Sequence, residues 1–120
     1  MHEYRPATSA DVDWLVDLRV QTMASYIEAS GQNISLEDHR VRVLHEFPSI
    51  QVIAIDGRDV GMVKAVRTPD AWKLMQIQLL PDYQGKGTGT RIIQQLLSDA
   101  RSAQVPVTLS VLKTNPAKSL

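Results

Sequence analysis

Glycines occupy three alternate positions, Gly85, Gly87 and Gly89, between an apolar run ending at Leu79-Leu80 and a helical pattern opening near Thr88. Backbone without Cβ atoms turns sharply and lets main-chain N–H groups approach a ligand closely. The first N–H groups of a helix lack intrahelical acceptors and sit at the positive end of its dipole. A strand, glycine loop and helix in this order suit a phosphate group. Lys86 and Arg91 can add charge, although long basic side chains are more often solvated. Two common phosphate motifs do not fit. A Walker A loop fails because Gly87 follows Lys86 and Leu80 stands where its first glycine belongs. A dinucleotide fingerprint fails because position 90 is Thr. What the segment carries is Gln84-x-x-Gly87-x-Gly89 directly after a strand.

The other chemistry-bearing residues are sparse. The chain has no cysteine, so disulfides, thiolate zinc sites and cysteine nucleophiles are excluded. No cluster of ligand residues points to a metal. His2 lies at the terminus, and His39 and His45 read as surface residues of a helix. Trp14 and Tyr26 read as packing residues. Gln76 and Gln78 read either as ordinary strand residues or as groups lining a cleft.

The elements that must position the loop follow from periodicity and breakers. Tyr4 to Ala7 reads as a first strand. Thr8, with Asp11 three residues on, resembles a capping box and opens a helix to about Ala29, with Val12, Leu15, Val16, Met23 and Ile27 on one face and Gly31 closing it. Ser35 and Asp38 repeat the cap signal for a second helix, whose apolar face is Leu36, Val43, Leu44 and Phe47 and which Pro48 ends. Gln51 to Ile55 and Val60 to Arg67 form a hairpin around Asp56-Gly57. Trp72 to Leu80 is a strand with Met75, Ile77 and Leu79 on one side and Gln76 and Gln78 on the other. A helix from about Thr88 to Ala103 buries Ile92, Ile93, Leu96, Leu97 and Ala100. Val105 to Leu112 is a last strand, with Val107, Leu109 and Val111 on one face. Asn115-Pro116 looks like a further helix start. The order β-α-α-β-β-β-α-β is that of an α+β domain.

Composition bounds the function. The 120 residues fit one domain over 1–120, without repeats or linkers, and carry 13 basic against 13 acidic side chains. A pI of about 6.8 with scattered basic residues and few aromatics makes polymeric nucleic acid an unexpected partner, while a small anionic ligand needs only one local site. No stretch approaches the roughly 18 consecutive apolar residues of a membrane span. The opening Met1-His2-Glu3-Tyr4-Arg5-Pro6 lacks the apolar run of a secretory signal, so a cytoplasmic protein is expected.

The segment Leu79 to Gly89 resembles the pyrophosphate-binding motif of the GNAT superfamily, the acyl-CoA-dependent N-acyltransferases. Tyr4-Arg5-Pro6-Ala7-Thr8 with Asp11 looks like that family's first strand and helix start, Gly61 like its frequent strand glycine, and Asn115, Ala117 and Leu120 like the beginning of its Asn-x-Ala-x-x-Leu-Tyr segment. The resemblance runs along essentially the whole chain, though its specificity sits in positions 79 to 90. It implies a GNAT fold, a mixed central sheet flanked by helices, and acetyl-CoA as cosubstrate with no metal. It also implies an amine acceptor, small molecule or protein, attacked directly by its neutral nitrogen. Backbone near Leu79 and Leu80 would pair with the pantetheine arm and orient the thioester carbonyl. Gln84, Gly85, Lys86, Gly87, Thr88 and Gly89, with Thr90, would cradle the pyrophosphate, and the Asn115 side chain would approach the pantetheine.

Two departures from the pattern shape the expectations. Family members usually continue past the position of Leu120, completing a helix, adding strands and carrying a tyrosine near the thiolate. On this basis the last helix and strands are expected to be missing or incomplete, as in a C-terminally truncated member. An exposed sheet edge would then favour a homo-oligomer. Many members also place a glutamate on the strand before the loop, whereas this one offers Gln76 and Gln78, which take no proton at neutral pH. Ordered water, Glu28, Glu46 or His45 could replace it, and the sequence selects none of them. The resulting alternatives to an active acetyltransferase are a CoA-binding module without turnover and an interaction domain whose loop merely turns.

Overall fold

The computed structural model describes residues 2–30 and 35–109. Five strands form one sheet in the order β1 (His2–Pro6), β2 (Ile50–Ile55), β3 (Arg58–Arg67), β4 (Trp72–Leu79) and β5 (Val107–Leu109). The first four pair antiparallel, and β5 runs parallel to β4, so the sheet is mixed. The β2–β3 hairpin turns on Asp56 and Gly57, both at positive φ, as a two-residue turn matched to strand twist requires. Helices cover both faces: α1 (Val12–Ser30) and α2 (Leu36–Leu44) on one, α3 (Thr88–Ser102) on the other. Under α3, Ile92 and Leu96 pack on Val63, Ala65, Leu74, Ile77 and Leu79, while Gln51 and Arg67 line a cavity at the margin of this face. On the opposite face Leu15, Leu18 and Val43 pack on Ile50 and Met62.

Strand and helix boundaries fall within a few residues of expectation, and four differences have physical causes. The Thr8–Asp11 cap opens a 3-10 turn, Ser9–Asp11, with the Asp11 carboxylate accepting from the Thr8 N–H, and α1 begins only at Val12. The second helix ends at Leu44 rather than continuing to Phe47. Pro48 has no N–H to donate to the Leu44 carbonyl in a continued helix, and the chain passes through a left-handed Glu46 into a short turn over Phe47–Ser49. The buried face of α2 is His39 and Val43, not an all-apolar stripe. Leu36 is 68% exposed and Leu44 is exposed too, whereas His39, expected at the surface, is only 2% exposed. In β4 the side-chain alternation breaks at Met75. The register passes from Lys64↔Gln76 to Ala65↔Leu74, leaving Met75 as the extra residue of a bulge, so Leu74 joins Ile77 and Leu79 on the α3 face. The last strand is seen as Val107–Leu109. Residues 110–112 and the helix start at Asn115-Pro116 lie outside the described residues.

Two polar devices hold the layers together. Arg5 on β1 forks between Asp11 (2.8 and 2.9 Å) and Asp59 at the start of β3 (2.8 Å), joining three elements. The Arg5 guanidinium, opposed by partial burial, holds the Asp11 carboxyl down to about 2. Lys64, in the middle of β3 and 1% exposed, directs its ammonium into the C-terminus of α2. It donates to the carbonyls of Arg42 (2.8 Å), Val43 (3.3 Å) and His45, groups that a helix end leaves without partners. Burial and the charge of Arg19 pull this ammonium down to about 8, against the opposing influence of Glu46.

Asp11 titrates lower in the folded chain than the roughly 3.9 of an unfolded one, so its contribution is complete above about pH 4 and disappears as pH falls toward 2. Asp11→Asn is expected to lower unfolding free energy by about 1–2 kcal/mol at pH 7, after discounting for the exposure of Arg5, and to flatten the acid limb between pH 4 and 2. Urea titrations across that range check it. Lys64→Met leaves three carbonyls at the α2 terminus unpartnered and is expected to cost about 2–4 kcal/mol. Calorimetric melting and amide exchange in α2 read that loss.

Candidate functional site

The glycine loop is where main-chain donors accumulate. β4 ends at Leu79 and the chain makes a short 3-10 turn, Pro81–Tyr83, before Gln84 and α3. Tyr83 N–H donates to the Leu80 carbonyl (2.8 Å) and Gln84 N–H to that of Pro81 (3.2 Å). The next bonded amide is Arg91, which donates to Gly87 at 3.0 Å. Between them, the N–H groups of Gly85, Lys86, Gly87, Thr88, Gly89 and Thr90 have no backbone acceptor among the described residues. Gly85 (φ +74) and Gly87 (φ +79) adopt the left-handed geometry that turns successive amides to one side, a conformation L side chains rarely take. Gly87 is the N-cap of α3, so the helix dipole reinforces the same concavity.

Around this cradle, the side chains sort by what they touch. Gln84 sends its Nε2 back to the Leu79 carbonyl (2.9 Å) and thereby pins the loop to the strand end. Thr88 and Gly89 are buried at the base of the helix, and Arg91 reaches the Thr88 hydroxyl (3.3 Å). The Lys86 ammonium lies 5.8 Å from the centre of the Tyr83 ring, an exposed cation–π contact beside the loop. The cradle of free amides therefore begins at Gly85, since the Gln84 amide is already engaged.

The edge of β4 leads away from the loop. β5 pairs only with Trp72, Lys73 and Leu74, so from the Met75 bulge onward the far edge of β4 has no partner strand among the described residues. Leu80 N–H donates to the Val60 carbonyl on β3 (2.8 Å), and its carbonyl accepts from Tyr83. Backbone polar groups alternate along a strand, so those of Leu79 face the open edge, where its carbonyl meets Gln84. Of the two leucines, Leu79 presents main-chain groups there, while the Leu80 main chain is already engaged and its side chain packs against the α1/α2 core. Gly61 makes this arrangement possible. A Cβ at position 61 would come within 2.3 Å of the Gln78 carbonyl and 2.7 Å of the Leu79 side chain. The loop amides and a strand edge left without a partner strand among the described residues are thus continuous, a fit for a long ligand with an anionic end and an amide-bearing arm.

Residues 14–118 match the acetyltransferase (GNAT) family. The chain belongs to the GNAT acetyltransferase family. Over 56 residues it is 41% identical to an L-2,4-diaminobutyric acid acetyltransferase of Nocardia farcinica, an alignment covering 43% of this chain and 29% of that protein. Its fold is similar to the PaiA N-acetyltransferase of Thermoplasma acidophilum, solved in complex with coenzyme A (TM-score 0.67, 16% identity, 99% of this chain and 84% of that one). It is similar as well to a ribosomal-protein-alanine N-acetyltransferase of Brucella melitensis biovar Abortus (TM-score 0.64, 18% identity, 99% and 87%). The mixed sheet flanked by helices is the fold of these GNAT proteins.

Within this GNAT chain the structure gathers Leu79 and Gln84 through Thr90 into one site. Asn115 lies outside the described residues, as does the side chain of Glu28. His45 and Glu46 follow α2, where the His45 carbonyl caps onto Lys64. Gln76 and Gln78 face the α1/α2 layer rather than solvent, and Gln78 is 6% exposed. The sequence reading missed Arg19, His39 and Lys64 as buried polar groups. The one available signal for Arg19 was its place on the turn of α1 already occupied by Leu15 and Leu18.

Gly61→Ala forces β3 and β4 apart where they approach most closely. It is expected to cost about 1–3 kcal/mol and to weaken cosubstrate binding together with stability. Paired melting curves and acetyl-CoA titrations of the variant test whether the two losses occur together.

Proposed function

We propose that the chain binds acetyl-CoA along the Gly85–Thr90 cradle and the open edge of β4 and transfers its acetyl group to an amine. The observation that carries this reading is the run of six amides without a backbone acceptor beside a strand edge without a partner strand, both among the described residues, in a member of this family. The amides of Gly85 to Thr90 take the pyrophosphate, and Lys86 and Arg91 lie close enough to add charge. The peptide groups of Leu79 align the amide-bearing arm and polarise the thioester carbonyl through a main-chain N–H. The acceptor nitrogen attacks that carbonyl as a free amine. A C–N bond forms as the C–S bond breaks, the amine proton passes to water, and the thiolate is protonated as it leaves. Gln76 and Gln78 take no proton, so the rate comes from positioning and carbonyl polarisation, with solvent as the base. The acceptor is a primary amine of a small molecule or a protein. We further infer that residues 1–120 act as one domain in the cytoplasm and that the domain self-associates through the sheet edge that has no partner strand among the described residues.

Calorimetric titration with acetyl-CoA, with ATP as control, tests this directly. Saturable binding of acetyl-CoA is expected to exceed ATP binding and to weaken by about tenfold or more in Gly87→Trp, which fills the cradle. Thiol release in the presence of amines then establishes transfer. Binding without thiol release for any amine would make the chain a CoA-binding module, and no binding by folded protein would sink the whole reading.

A further inference from the structure

The face of β4 beneath α1 and α2 holds polar groups that the fold itself leaves unused. Arg19 Nε, His39 Nδ1, Gln78 Nε2 and Gln76 Oε1 are buried, and none has a hydrogen-bond partner among the described residues. Arg19 is 3% exposed, and among the described residues no carboxylate lies within ion-pair distance of it. Nor does a neighbour offset its charge. Arg42 acts on Arg19 and on His39 with the same sign, and Arg19 acts likewise on Lys64, whose ammonium is committed to the α2 carbonyls. The acidic groups that reach this cluster are Glu46, felt by Lys64, and Asp38, felt by His39. A desolvated guanidinium without an anion is costly, and unsatisfied buried polar groups are rare in folded chains.

Placement joins these groups into one site. Gln76 lies opposite Lys64 and Gln78 opposite Met62 in the β3–β4 register, two residues apart on one face. Arg19, one helical turn from Leu15, shares the face of α1 that packs in a cluster with Met62, and its charge reaches Lys64, the cross-strand neighbour of Gln76. The strip adjoins Leu79, whose peptide groups the acetyl-transfer reading uses. The α3 face of β4 is apolar and covered by Ile92 and Leu96, so the unpartnered polar groups of this strand lie on the α1/α2 side. A planar guanidinium pairs with a carboxylate through two parallel N–H bonds, and a glutamine nitrogen adds a third donor. The Gln76 oxygen can only accept, and it suits an amine N–H.

On the acetyl-transfer reading above, we propose that the acceptor is an amine that also bears a carboxylate, held by Arg19 and Gln78, with Gln76 accepting a hydrogen bond from the amine. The acceptor is therefore amino-acid-like, and its carboxylate neutralises the buried guanidinium.

The test uses matched amines that differ only in the carboxylate: L-2,4-diaminobutyrate against 1,3-diaminopropane, L-ornithine against putrescine and L-lysine against cadaverine. With acetyl-CoA saturating, kcat/KM from thiol release is expected to favour the carboxylated member of at least one pair by about 100-fold or more. Arg19→Met is expected to remove that preference while retaining acetyl-CoA binding. It is also expected to hold or raise Tm, because it deletes an uncompensated buried charge, whereas a purely structural arginine would lower Tm when removed. Gln78→Met is expected to weaken the same preference and serves if the first variant fails to fold. Equal kcat/KM within every pair overturns the proposal. So does acetyl-CoA binding with no panel amine either releasing thiol or raising Tm, and so does stabilisation by acetate equal to that by the amino acids, which marks a structural anion site. Absence of acetyl-CoA binding by the unaltered protein would instead remove the reading beneath it.

Discussion

Lys64 crosses from the middle of β3 into the end of α2, where its ammonium gives hydrogen bonds to three carbonyls that the helix leaves open. The geometry of the α1/α2 layer follows from this contact. Because the ammonium replaces a C-terminal cap, α2 can stop at Leu44 and turn through Glu46 and Phe47–Ser49 into β2 without a glycine. Because a buried charge must be met by polar atoms, the helix end is drawn down onto the sheet, and α1 packs beside it at the height set by Leu15, Leu18 and Val43. A methionine of similar length would fill the volume and leave the carbonyls unsatisfied. The interaction therefore fixes the position of the helix end as well as satisfying its carbonyls.

The sheet divides the molecule into two chemically different halves, and β4 is the seam. Its α3 face is all apolar, which lets α3 sit close and aim its N-terminus at the loop. Its other face carries Gln76 and Gln78 among buried cations. The Met75 bulge makes both possible. By inserting one residue it places Leu74, Ile77 and Leu79 together on the α3 side, and it stands where the described pairing with β5 stops. An uninterrupted strand pair would occupy the edge groups of Leu79. Gly61 completes the arrangement by letting β3 approach the strand end without a side chain in between.

What was legible in the sequence was local. The glycine spacing at 85, 87 and 89, the cap at Ser35 and the Asp56-Gly57 turn each act within a few residues, and each fell where expected. The backbone geometry of the glycine loop was legible for the same reason, since it is set by main-chain conformation. The buried polar groups were not, because their burial is decided by residues far away in sequence. His39 is covered because α2 packs against α1, and Lys64 is hidden because a helix end 19 to 22 residues earlier needs donors. Helical periodicity assigned Leu36 and Leu44 to the core, yet the α2 face was turned toward His39 by the demand of Lys64 for the last carbonyls. The bulge at Met75 is invisible to an alternation argument, which assumes that no residue is skipped.

A fold that buries an arginine without an anion sacrifices stability where a ligand would restore it. If folding alone governed this face, the neighbours Leu15, Leu18 and Met62 would favour an apolar residue at position 19, and Arg42 would not add a like charge nearby. Arg19 is a poor choice for the empty site and a good one for a site holding a carboxylate, because the guanidinium is already desolvated and fixed before the ligand arrives. The same logic governs the loop, where six amides without acceptors are held ready by two left-handed glycines. The two halves of the site thus share one physical device, donors kept unsatisfied on a rigid frame. On the proposed reading they differ in what meets them: a phosphate at the main-chain N–H groups of the loop, and the acceptor's carboxylate at the buried guanidinium.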